Sequence, residues 1–518
     1  MSETDVPLSD EAILTLAMQT PLPPSTDSLA IELEADTPKT PQSSTSRRIS
    51  ETFLVETEDD AYGNDRRANE SSLPSVDRGI KAWTFLTAAF FMEAIVWGFP
   101  NSFGVFLDAY LTDPKYATQS NASSLLPLIG PLSSGIMYCS GPLINTIISR
   151  WSHRRRLIMW SGTVLCWASL FGASYTTKVK LLVFLQGVLY AVGGSLLYYP
   201  CISYMSEWFV ERRGLANGVM FAGASTGGLI LPLILPYLIS SYGSSKALRI
   251  LGIAITGLLV PFLPFVKGRL PELRYHVRGP GPRGLATGST SIRKRDWLKN
   301  TTFWVLIIAN TFQGFGYFVP ILWLPTFANA LKLSSANAAI ALSMLNGASV
   351  VGRLSMGYLS DKLNPWLLAL STLICTSLST FILWGVLSTT FAGLLSFGIA
   401  YGALAGGWSS LWTGFLRPLT SDDPRLATTL LGYLMLSRGI GNIFSTPISS
   451  ALSSGLGSNS SIPNGSPHHS TGFQVDNGKY EKMILYVGTC FAGAAVVSLT
   501  GWLREMASRR NGSARLQG

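Results

Sequence analysis

The chain has 518 residues, a formal net charge of +10, 47% hydrophobic residues and a mean hydropathy of +0.31. Only 13% of its residues are charged, against about a quarter in ordinary soluble domains, which excludes a string of such domains and points to a membrane protein. The charge is uneven: the first 80 residues hold 16 Asp and Glu against 6 Lys and Arg, and the remainder holds 13 against 33.

Residues 1–78 are rich in Ser, Thr, Pro, Asp and Glu and have no sustained apolar period, so they read as a disordered acidic tail that cannot bury enough surface to offset ordering. Within it Arg47-Arg48-Ile49-Ser50 has the form of a basophilic kinase site, and Thr37 and Thr40 each precede proline. Twelve apolar runs follow, at 82–107, 123–148, 157–175, 181–205, 214–240, 247–266, 302–329, 336–360, 366–387, 391–416, 426–451 and 482–503. Each is long enough to cross a hydrocarbon layer of about 30 Å as a helix. The expectation is an all-α membrane protein with two six-helix halves, 79–267 and 301–504. A Gly/Pro/Arg-rich linker at 268–300 joins them, and a short C-tail spans 505–518.

The loops joining spans 2-3, 4-5, 6-7, 8-9 and 10-11, together with the C-tail, carry 22 Lys and Arg, and the other loops carry 8. That bias places both termini in the cytoplasm. Sequons at Asn121, Asn459 and Asn464 then lie outside and are the candidate glycan sites, whereas Asn69, Asn300 and Asn511 lie inside. The basic residues sit between apolar runs and form no recognition helix, which argues against nucleic acid as a partner. All five cysteines fall inside apolar runs without a CxxC pair and read as packing residues.

Where the eighth span meets the cytoplasm stand Gly352-Arg353, Gly357, Ser360-Asp361 and Lys362. These resemble the G-x-x-x-D-(R/K) loop of the major facilitator superfamily. Loop 2-3 holds the equivalent Gly141-Pro142-Leu143, Arg150-Trp151-Ser152 and Arg154, with Asn145 near the expected acid. An acid and nearby bases at a helix end can form a breakable, charge-assisted latch for an inner gate, with Gly357, Asp361, Lys362, Arg150 and Arg154 as its parts.

Residues 208–228, WFVERRGLANGVMFAGASTGG, are similar to the fifth-span signature of the monocarboxylate transporter family, through Trp208, Phe209, Arg212, Arg213, Leu215, Ala216, Gly218, Ala222, Gly223 and Gly227. The first-span signature is matched loosely by Asp77, Gly79, Ala82 and Trp83. The resemblance covers about residues 77–505, is nearest the fungal branch, and implies a twelve-span alternating-access carrier for monocarboxylates or larger organic acids. Where animal members place a functional lysine and an aspartate, this chain has Asn101 and Ser349, so proton and lactate coupling through those residues does not carry over.

Ionisable groups inside a membrane cost about 2.5–3.5 kcal/mol on insertion scales and need a reason. Glu93 in the first span is a candidate protonatable coupling site or a structural acid. Arg353 in the eighth offers planar bidentate donors to a carboxylate, or a gate contact. Arg438 in the eleventh is a candidate for substrate contact or an interhelical ion pair. Asn101 belongs to the candidate substrate site by its position, and Trp408 and Trp412, at i, i+4 in the tenth span, could stack on a planar substrate or on neighbouring helices.

No cofactor is expected. Nothing resembles a Walker A loop, an HExxH pair or a nucleophile elbow, so the chain reads as a transporter rather than an enzyme. The expected partners are membrane lipid, a small organic anion or metabolite, and protons as a candidate co-substrate. The expected location is the plasma membrane ahead of an internal one. Alternatives are an exporter of a secondary metabolite and a non-transporting nutrient sensor.

Overall fold

A computed structural model describes residues 73–270, 296–420, 423–454 and 471–517, which are helix and turn with no strand among them. Among the described residues, nine helices are long and apolar enough to cross a membrane. One of the nine, Arg213–Phe265, is two helices joined at Gly243, whose φ of 77° and ψ of 160° interrupt the α-helical run. Arg155–Ala173, which opens on two arginines, and Pro424–Ser454, with its Ser, Thr, Asn and Arg, complete the twelve.

In chain order these are α1 (Ile80–Thr112), α2 (Ala122–Cys139, continued by Gly141–Arg150), α3 (Arg155–Ala173), α4 (Val179–Trp208), α5 (213–242) and α6 (244–262). The second half holds α7 (Thr301–Ala330), α8 (Ser335–Ser360), α9 (Pro365–Leu387), α10 (Phe391–Thr420), α11 (Pro424–Ser454) and α12 (Glu481–Gln517). Most of the acidic tail, the central linker from 271 to 295, and Asn459 and Asn464 lie outside the described residues.

Helix starts in the second half follow local chemistry. Asn300, Ser334, Asn364 and Thr390 each accept a backbone N–H of the first turn, and Pro365 fills a first-turn position where its missing N–H costs nothing. Large apolar side chains such as Leu233, Ile234, Ile253, Leu367 and Val496 stay at least 48% exposed, as lipid-facing residues do, because between helices and lipid there is no hydrophobic drive. Packing inside relies on small residues instead. A Cβ on Gly223 would stand 2.1 Å from the Phe90 carbonyl and one on Gly227 2.0 Å from that of Ala94, so α5 lies directly on the α1 backbone. The tenth-span glycines behave alike, with Gly402 against the Leu345 carbonyl of α8.

The halves meet at both ends. At the end carrying the arginine-rich α2–α3 loop, here called the basic end, α5 meets α8 and α2 meets α11. At the opposite end Asn329 of α7 donates to Asp108 of α1 at 2.7 Å.

Candidate substrate site

Midway along the bundle, aromatic rings from both halves form a closed circuit. Trp97 lies 5.5 Å from Tyr198, Tyr198 6.3 Å from Phe221 and Phe221 6.0 Å from Trp412; Trp97 also lies 4.6 Å from Tyr138, which meets Phe318 at 5.9 Å. Arg438 of α11 closes the circuit, its guanidinium carbon 4.1 Å from the Tyr317 ring centre and 5.6–5.7 Å from those of Trp412, Phe318 and Tyr138. Stacking of this kind suits arginine because the guanidinium is planar and weakly hydrated.

Arg438 is fully buried, and its one protein hydrogen bond runs from Nη1 to Gln313 Oε1 at 2.7 Å; Nε and Nη2 have no protein partner. Arg353 of α8 donates to the Phe221 carbonyl of α5 and to the Tyr317 hydroxyl, so it bridges the halves and keeps Nε unpartnered. Glu93 of α1 is 2% exposed with neither carboxylate oxygen hydrogen-bonded to protein. It interacts electrostatically with Arg353, but no ion pair within 4.0 Å joins it to Arg353 or to Arg438. Buried polar groups normally find partners, so unpartnered donors and acceptors gathered in one aromatic cluster are suited to a ligand that supplies the missing contacts.

Arg438, Arg353 and the two tryptophans of α10 are oriented by one face of α7. Asn310, Gln313 and Tyr317 recur at i, i+3 and i+7: Asn310 holds the tryptophans of α10, Gln313 holds Arg438, and Tyr317 holds Arg353. Sequence reasoning missed these three, although polar residues at helical spacing inside an apolar run were a usable signal. It also missed Trp97, Tyr138, Tyr198 and Phe221, which carry no local signal because buried aromatics are common in any core.

Of the other sequence candidates, Trp412 belongs to the ring circuit. Trp408 and Trp412 stand at the two ends of a 3-10 turn over residues 408–411 and face the same side, since both indole N–H groups donate to Asn310 Oδ1, at 2.7 and 3.1 Å. Only Trp412 reaches Arg438 among these two. Asn101 ties α1 to α5 by donating to the Ala224 carbonyl at 3.0 Å. Asn121 is exposed at the end opposite the basic one, in the left-handed region with φ 65°.

At the basic end the latch differs from the expected acid–base contact. Asp361 accepts from the backbone amides of Gly214 and Leu215, both at 2.9 Å, at the N-terminus of α5, where the helix dipole favours an anion. Burial pushes its carboxyl above the usual range; the two amides and the Arg417 charge oppose that rise, and Asp77 adds to it. Lys362 turns back onto Tyr358 of its own helix, and Arg150 and Arg154 are exposed, whereas Arg155 makes the ion pair, with Glu207 at 2.8 Å. In the matching seam Asn145 donates to the Thr428 carbonyl of α11 at 3.2 Å, an uncharged counterpart of the Asp361 contact. Gly218 and Gly357 allow α5 and α8 to touch there, since a Cβ on either would meet the other helix within 3 Å.

The two signature stretches also form one unit. The Asp77 carboxylate accepts from the amides of Val210, Glu211 and Arg212 at 3.0–3.2 Å, Trp83 meets Phe209 edge to face, and Trp208 donates to the Lys267 carbonyl. Arg213 is buried beneath, donating to the Phe209 carbonyl.

Twelve helices in two halves, meeting around a buried aromatic and polar cluster that both supply, are the architecture of an alternating-access carrier. A sequence profile of the Major Facilitator Superfamily matches residues 86–446. The chain belongs to this superfamily. As a facilitator it is a membrane transporter and not an enzyme. It is 25% identical over 428 residues to the MFS-type transporter pynF of Aspergillus niger, covering 82% of this chain and 89% of that one. It is 26% identical to the aspyridones efflux protein apdF of Emericella nidulans, covering 76% of each. The solved structure of the nucleoside transporter NupG superimposes with a TM-score of 0.55 at 14% identity, over 82% of this chain and 99% of that one, and supports the facilitator fold.

Proposed function

We propose that this facilitator exports an anionic secondary metabolite with a planar, apolar body. The observation that carries the reading is Arg438: a buried guanidinium faced by aromatic rings, with two N–H-bearing nitrogens lacking protein partners, matches a carboxylate or acidic enol attached to an unsaturated skeleton. The efflux relatives support the direction. The positive-inside bias supports a basic end in the cytoplasm and, with export, a plasma-membrane location. Glu93 is the proposed coupling acid, exchanging protons as access alternates.

The test is disruption of the gene in its own host, followed by measurement of organic acids inside the cells and in the medium. One anionic metabolite should rise inside and fall outside. A defect confined to uptake of a supplied monocarboxylate would overturn export. It would favour a second reading, import of a monocarboxylate, which the paired signature around Asp77 and residues 208–213 supports. Counterflow of labelled substrate in proteoliposomes separates either carrier from a non-transporting sensor.

A further inference from the structure

The two buried arginines of the cluster are not equivalent. Both Nη atoms of Arg353 are hydrogen-bonded to protein, to the Phe221 carbonyl and the Tyr317 hydroxyl. Arg438 has no carboxylate within 4.0 Å, and its hydrogen-bond partner is an uncharged amide, Gln313. The Gln313 amide is oriented by its surroundings: Nε2 donates to the Ala405 carbonyl at 3.5 Å, which turns Oε1 toward Arg438. Gln313 is itself fully buried. A glutamate at this position would have the same shape and place a carboxylate oxygen at the same 2.7 Å from Nη1. The chain instead keeps a neutral acceptor there, which orients the guanidinium without cancelling its charge.

An uncompensated buried charge is costly, and the cost is relieved by whatever brings the opposite charge. We propose that Gln313 is the specificity-determining residue for substrate charge: by holding Arg438 through an uncharged oxygen it leaves one positive charge for the ligand to neutralise, so the site selects monoanions over neutral molecules of the same shape. The inference rests on the proposed anion transport and narrows its substrate class to singly charged acids with an aromatic or otherwise planar body. Gln313 acts through Arg438 and is a positioning residue; replacing its amide nitrogen by oxygen changes the charge of the site while its size is kept.

The experiment compares binding of 2-naphthoate and of its neutral amide, 2-naphthamide, to the purified full-length protein by calorimetry, with thermal melting to verify folding. The wild type should prefer the acid by about tenfold or more. Gln313→Glu should lose that preference or reverse it, through weaker acid binding with the amide unchanged. Gln313→Met, which removes the hydrogen bond but adds no charge, should weaken both probes and keep the acid preferred. If the second oxygen of the Glu variant, facing the Ala405 carbonyl, prevents folding, Arg438→Gln serves the same purpose and should abolish the preference. A folded Glu variant that still prefers the acid as the wild type does overturns the role of Gln313, as does a Met variant that loses the preference as the Glu variant does; where Arg438→Gln stands in, retained preference overturns it. A wild type with no preference for the acid overturns anion transport itself, and the inference with it.

Discussion

Replacing Asp77 should loosen the turn that starts α5, by an amount that follows from its contacts. One carboxylate accepts three consecutive amide N–H groups, those of Val210, Glu211 and Arg212, at 3.0–3.2 Å. Losing a helix-capping side chain costs about 0.5–2 kcal/mol, and Glu211 and Arg212 are exposed, so water can partly replace the lost acceptor. Asp77 also sits at φ 58°, which asparagine tolerates and alanine does not, at about 1–2 kcal/mol of strain. Asp77→Asn keeps one oxygen and the backbone preference and should cost about 1 kcal/mol. Asp77→Ala should cost about 2–3 kcal/mol, adding the strain to the lost cap.

Trypsin reads this locally, because Arg212 and Arg213 are cleavage sites held by the turn. Cleavage through local opening tracks the opening free energy, so the Asn variant should be cut about fivefold faster at these bonds and the Ala variant about thirtyfold or more. Mapping the peptides by mass spectrometry isolates the site from cuts elsewhere. Cleavage of both folded variants at the wild-type rate would refute the capping argument, and equal acceleration in both would refute the assigned strain.

Arg353→Lys should impair transport beyond any loss of protein abundance, because an ammonium cannot reach the Phe221 carbonyl and the Tyr317 hydroxyl as a planar fork does; wild-type affinity and rate would remove Arg353 from the site. Glu93→Gln should abolish accumulation driven by a pH gradient while counterflow survives, and an unchanged response to the gradient would end the coupling role. Gly227→Ala should lower thermal stability by about 1–3 kcal/mol, since its Cβ would meet the Ala94 carbonyl at 2.0 Å and neither backbone can yield cheaply. Gly257→Ala, with nothing within 4 Å, is the matched control and should melt like the wild type; equal melting of both variants would refute the close-packing argument. Glycans should attach at Asn121 and not at Asn300, and a glycan mapped to Asn300 would invert the proposed orientation.

The reading as a transporter came from the family resemblance of residues 208–228 and the Gly357–Lys362 loop, whereas hydrophobic run length was sufficient to read twelve spans from the residues alone, because a hydrocarbon layer imposes its thickness and polarity on each span independently of its neighbours. The same reasoning located Glu93, Arg353 and Arg438, since an ionisable group in an apolar run stands out wherever the run is placed. Their surroundings needed the fold. Arg438 is in α11, its hydrogen-bond acceptor Gln313 in α7, and its ring neighbours come from α2, α7 and α10, so 125 positions separate it from the residue that sets its environment. Helical spacing put Trp408 and Trp412 on one side of the tenth span, and the fold supplied what they reach there, the Asn310 oxygen of α7 that accepts both indole N–H groups. Asp361 was visible as an acid, but its partners are backbone amides of a distant helix, groups that every residue type except proline carries and that no side-chain pattern can single out.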